Sequence, residues 1–237
     1  MSLTYSQYVT DIANLLVVPQ TDPNFQTVLP NILDDAELRI QRDLDLLDAT
    51  VRDSTGTLTV GTRTFTLPTD VGTYIAVDEL NVITPFGTTS ADSGTRVPLV
   101  KCSRDLLDAL WPSSTGATVP KYFAPVTQDT MIVGPFPDQA YNIEVVGPQR
   151  FTPLYTSQTT SPLSVFFPDL LIAASMVFAT GYQRNFGAGV DDPQMGVNWE
   201  SHYKNLLSSA QTEEARKKFI IGVDTPNLPM PSMPKGA

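Results

Sequence analysis

LPNILDDAELRIQRDLDLLDATVRDSTGTLTVGTRTFTL, residues 29–67, changes its hydrophobic period partway along. In the first half Leu29, Leu33, Ala36, Ile40, Leu44 and Leu47 recur at spacings of three and four, one face of an α-helix. Asp34, Asp35, Glu37, Arg39, Arg42 and Asp43 fall on the other face, so the helix is amphipathic. Pro30 is tolerated near a helix start, which places the helix at about 30–48. From Thr50 the period is two. Leu58 and Val60, then Phe65 and Leu67, alternate with threonines about Gly61, the pattern of a hairpin closed by Pro68-Thr69-Asp70.

Upstream, Tyr5, Tyr8, Val9, Ile12, Leu15 and Leu16 mark a first helix, capped by Thr4 or Ser6 and ended by Pro19 to Pro23. Downstream, strands are expected at 74–83, 97–100, 122–126, 130–133 and 140–146, the last two paired across Pro135-Phe136-Pro137-Asp138. Ser103 caps a short helix carrying Leu106, Leu107, Leu110 and Trp111, and 84–95 reads as a loop. Helix signals return at Pro168, with Asp169 in the first turn and Leu171, Ser175, Phe178, Ala179 and Tyr182 on one face. After Gly187-Ala188-Gly189, Asp191-Asp192-Pro193 start a last helix with Met195, Trp199, Tyr203, Leu206 and Ala210 inward. Glu213 and Glu214 pair there with Lys217 and Lys218. The expected class is α+β: residues 1–50 and 160–221 form one helical bundle, and 51–159 an inserted antiparallel β-domain. Residues 222–237, with Pro226, Pro229, Pro231 and Pro234, form an extended tail.

Composition removes whole classes of function. The chain has 237 residues, 15 basic and 25 acidic side chains and a net charge of −10. Residues 1–50 alone hold 8 acids and 2 bases. Without a basic stripe, binding of duplex DNA through its phosphates is not expected, and an acidic surface suits DNA that passes without sticking. The apolar run 170–179 is too short to span a bilayer, and no secretory signal is visible at the N-terminus. One cysteine, Cys102, and one histidine, His202, rule out an internal disulfide and Cys- or His-rich metal sites. A reducing cytoplasm is the expected place of folding.

No catalytic constellation stands out. A Ser-His-Asp triad must use His202, which lies on a helix on the face opposite Trp199 and Leu206, the place of a solvated histidine. Cys102 reads as a small buried residue between strand and helix. Asp34 and Asp35 diverge on their helix, and Asp191-Asp192 is accounted for as a cap. No phosphate loop occurs, and no cofactor or metal is expected. The tail alone exceeds what a core needs. Ile220, Ile221, Val223, Leu228, Met230 and Met233 are the candidate partner-binding residues, docking onto a neighbour.

Three blocks resemble the head-to-tail adaptor (connector) proteins of short-tailed bacteriophages. Ala36-Glu37-Leu38-Arg39-Ile40-Gln41-Arg42-Asp43-Leu44 is similar to that family's A-E-x-R-I-x-R-D-L signature. Phe65-Thr66-Leu67-Pro68-Thr69-Asp70 resembles its aromatic-x-L-P-x-D, and Phe167-Pro168-Asp169-Leu170-Leu171 the opening of its later helix, with Trp199 and Tyr203 beyond. The resemblance implies a non-enzymatic virion protein at the head–tail joint, assembled in the host cytoplasm. It implies a twelvefold ring that docks on the portal, extends the DNA channel and meets the tail nozzle. The runner-up readings are a nozzle or tail-completion protein and, further off, a carboxylate-dependent virion hydrolase or a glycan-binding module.

Overall fold

The computed structural model describes residues 2–69, 72–88, 91–156, 159–182 and 194–223. The chain is α+β and divides into two compact units. One is drawn from the described residues of Met1–Leu47 and Pro153–Ala237, the other is Asp48–Thr152.

In the helical unit α1 (Tyr5–Leu16) starts at Thr4, whose side chain accepts from the Gln7 N–H while Gln7 answers the Thr4 N–H. Tyr8, Ile12, Ala13 and Leu16 are its buried face. Its stop is not the prolines but Val17, held at φ 56° in the left-handed region, where the Val17 and Val18 N–H groups close onto Asn14 and Ala13. Helix α2 (Pro23–Asp43) begins seven residues before the expected start. Asp22 takes the N–H groups of Asn24 and Phe25, and Pro23 occupies the first turn, so Pro30 sits inside the helix. The apolar face extends backward to Phe25, which is fully buried and outweighs the one hydrogen bond that Pro30 removes. The helix ends at Asp43, short of the expected 48, because Leu44 is extended; a 3₁₀ turn follows at Leu47–Ala49.

Ser161 caps the short α4 (Pro162–Phe166), which the sequence pattern does not announce. Helix α5 (Pro168–Tyr182) is the hub of this unit: α1, α2, α4 and α6 (Met195–Val223) all pack on it. Leu170, Leu171, Ala173, Ala174, Ser175, Met176 and Ala179 are buried, so burial encircles it. The small residues let four neighbours approach, and the buried hydroxyl of Ser175 accepts from Tyr8 at 2.9 Å while donating to the Leu171 carbonyl.

The second unit holds two sheets. In the first, β1 (Thr50–Thr57), β9 (Asn142–Arg150), β4 (Glu79–Thr84) and β5 (Thr95–Pro98) run in that order, and β3 (Thr73–Tyr74) also pairs with β9. In the second the order is β2 (Thr64–Thr66), β8 (Thr130–Gly134), β7 (Tyr122–Pro125) and β6 (Val100–Lys101). Leu80, Val82, Ile143 and Val145 from one sheet and Phe65, Phe123, Met131 and Val133 from the other share one core. Two expected hairpins are therefore wrong. The chain does turn at Gly61, but β1 joins β9 and β2 joins β8 in the other sheet. Likewise β8 and β9 are not partners; β8 pairs with β7, and β9 lies between β1 and β4. One pair, β6 with β7, is parallel, a departure from the purely antiparallel expectation. Helix α3 (Arg104–Leu110), capped by Ser103 as expected, lays Leu107 and Trp111 over Tyr122, Ala124 and Ile132.

Candidate functional site: a partner surface

The signature stretch of α2 is where the helical unit is tied together. Arg39 donates to Glu200 on α6 at 2.8 Å, lies 4.1 Å from the centre of the Tyr203 ring, and is 3.7 Å from Asp43. The Tyr203 hydroxyl donates to Asp43 at 2.8 Å, and Gln211 reaches the Asp43 carbonyl. The guanidinium holds the Glu200 carboxyl below its ordinary value, and burial, then the Asp43 carboxylate, pushes the Tyr203 phenol up. One turn further, Glu214 of α6 accepts the Leu47 N–H at 2.9 Å and Lys217 at 2.8 Å. Glu214 is buried, and Lys218 pairs with Asp45 rather than with Glu214, against the sequence expectation. The ladder is polar because α2 and α6 meet at their half-buried flanks, where ion pairs keep partial contact with water.

Glu37 is the sharpest departure. It belongs by spacing to the polar face, yet it is 3 % exposed, turned inward beside Leu154 and Ser161. A signature acid that faces inward is invisible to periodicity, which places a residue within about 100° and says nothing of what covers it.

The β-unit carries a comparable knot. Glu144 on β9 is 1 % exposed and accepts from Arg96 at 3.0 Å and from Asn81 at 3.3 Å, with Arg52 at 3.5 Å. Four strands contribute, so no local motif could reveal it. Arg63, just before the Phe65–Asp70 block, donates to the Trp111 carbonyl at 2.9 Å and pairs with Asp108. That places the second signature block beside the α3 anchor.

The helical unit exposes Leu15, Val17, Val165, Phe166, Val197 and Phe219, and the β-unit exposes Val100, Leu106 and Leu110 among others. Leu106 and Leu110 are one turn apart on α3, exposed alongside its buried Leu107. Of the sequence candidates, Ile220, Ile221 and Val223 lie in the last turn of α6, and their side chains are outside the described residues. Leu228, Met230 and Met233 are outside them altogether. None of the six side chains is among those the structure describes.

Groups with catalytic potential stay apart. His202 is exposed, as expected, but its ring stands edge-on to Trp199 at 5.7 Å, so it shares that residue's face; a three-residue step on a helix is only about 60°. Cys102 is half-buried, its thiol toward the Phe123 carbonyl and raised by burial. Asp191, Asp192 and Gly187-Ala188-Gly189 lie outside the described residues. Among the described residues no three His, Cys, Asp or Glu side chains are grouped to hold a metal ion, and no helix is long and apolar enough to cross a membrane.

Residues 3–222 match the family described as SU10 adaptor protein, a match that runs through both units and all three signature blocks. No curated protein matches the chain.

Proposed function

Since this chain belongs to the SU10 adaptor protein family, structural proteins of the phage head–tail joint, we propose that it forms a ring docked on the portal vertex. The ring extends the DNA channel and presents a surface to the tail nozzle. The family match over residues 3–222 carries this reading. Ring assembly needs no reacting group, so the chain acts without catalysis. The excess of 25 acids over 15 bases supports a channel along which DNA slides without adhering. We assign ring contacts to the helical unit, where the Arg39–Glu200–Tyr203–Asp43 ladder fixes α2 against α6 and so presents a rigid face to the next copy. The β-unit projects toward the nozzle. The segment beyond Val223, with Leu228, Met230 and Met233, docks on the portal or an adjacent copy. A twelvefold ring matches the portal's own symmetry.

Peptide quantification of purified virions tests the reading. A ratio to portal protein near one to one is expected; a chain left soluble in the lysate and absent from virions would falsify it.

A further inference from the structure

Asp34, Glu37 and Gln41 follow one another along one face of α2, and each keeps an oxygen sealed from solvent without a hydrogen-bond partner: Asp34 Oδ1, Glu37 Oε1 and Gln41 Oε1. The groups around Glu37 come from three elements. Tyr8 faces it from α1 and Asp34 from α2; the Leu154 N–H and the Ser161 hydroxyl come from the segment 153–161. Tyr155 of that segment donates its hydroxyl to Asp34 Oδ2 at 3.0 Å. None of these groups is cationic. The Leu154 and Ser161 donors favour the carboxylate, but burial outweighs them and Asp34 adds to it, so the Glu37 carboxyl is pushed up from 4.5 to about 7.

A sealed carboxyl oxygen that no donor meets, as at Glu37 Oε1, is an arrangement short of a proton. We propose that Glu37, sealed beside Asp34 with Oε1 unpartnered and no cation facing it, is kept as the neutral acid, and that this form clasps α2 to the 153–161 segment in a pH-dependent way. The proton turns one orphan acceptor into a donor, while Tyr155 satisfies the far oxygen of Asp34. Loss of that proton leaves a buried, uncompensated carboxylate at Glu37 beneath the segment by which the chain re-enters the helical unit.

The direction of the effect follows from linkage. The folded chain holds the proton up to about pH 7 and the unfolded chain releases it near 4.5, so the folded state binds more protons across that window. Stability from this group is therefore full below the window, falls as pH rises through it, and stays low above it.

The test is thermal unfolding of the full chain across and above that window, for the wild type and for Glu37→Gln, with and without calcium. The amide keeps the shape and a donor but cannot ionise. The expected result is a wild-type Tm that falls toward neutral pH relative to Glu37→Gln, with the two curves parallel above the window. Curves parallel throughout would overturn the proposal. So would a calcium-dependent rise in Tm that Glu37→Gln abolishes, since that would make the site a cation site. Should Glu37→Gln not fold, infrared spectra of the wild type decide: a protonated-carboxyl band that fades as pH passes about 7 is required, and its absence below that pH sinks the neutral acid.

Discussion

Arg39 touches three partners at once, and its value lies in holding Glu200, Asp43 and the Tyr203 ring in one geometry. Arg39→Ala leaves Asp43 without its cation and Glu200 with only Lys204, and should cost about 2 kcal/mol in urea unfolding. Tyr203→Phe removes only the Asp43 hydrogen bond and should cost about 1 kcal/mol. Val17 makes an opposite case. A β-branched side chain at φ 56° is strained, and at 88 % exposure little packing offsets that strain. Val17→Gly should raise stability by about 1 kcal/mol, read as a higher urea midpoint with unchanged slope. At this scale the sequence named the right residues in the signature helix but assigned Glu37 to the wrong face. Its acidic neighbours Asp34 and Asp35 make a solvated stripe the natural reading, and only the fold brings Leu154 and Ser161 over it.

Among the elements, helices were legible and strand partners were not. Periodicity in Tyr8, Ile12 and Leu16, or in Leu29 to Leu44, reports a buried face that is built within one segment. A strand's partner is instead chosen across the chain. β9 pairs with β1, β3 and β4, whose nearest residue in sequence is more than fifty positions away, so no turn signal specifies it. A proline-containing turn after β8 and alternation on both sides imitate a hairpin, and the shared core between sheets overrides it. β9 also carries a tight approach: a Cβ on Gly147 would lie 2.3 Å from the Ala76 carbonyl oxygen. Backbone cannot yield as a side chain can, so Gly147→Ala should cost about 3 kcal/mol, seen as a loss of Tm with disruption of the first sheet. Gly134→Ala meets only the Leu107 and Trp111 side chains and should cost about 1–2 kcal/mol, loosening α3.

For the whole molecule, the α+β class and the adaptor family were readable from order and spacing of the three blocks, while the partner surfaces were not. Contacts made in an assembly leave no mark on a chain's own periodicity, and the six tail candidates lie where no side chain is described. Removing residues 224–237 should leave the circular dichroism and Tm unchanged while weakening attachment to portal rings in a pull-down. Unchanged affinity would remove the tail from the joint.

The helical unit is discontinuous, drawn from 1–47 and from 153 onward, whereas the β-unit is one continuous stretch. During translation α1 and α2 emerge first, yet α5, the helix they pack on, is made only after the whole β-unit. The β-unit has its core complete by Arg150 and is free to fold on the ribosome. The first two helices must wait with Tyr8, Ile12, Phe25 and Leu33 uncovered. A chain released early would carry a folded β-unit and an open pair of helices, unable to build the α2–α6 ladder. Synthesis itself thus orders the two units in time, and only chains made through α6 can close the α2–α6 ladder.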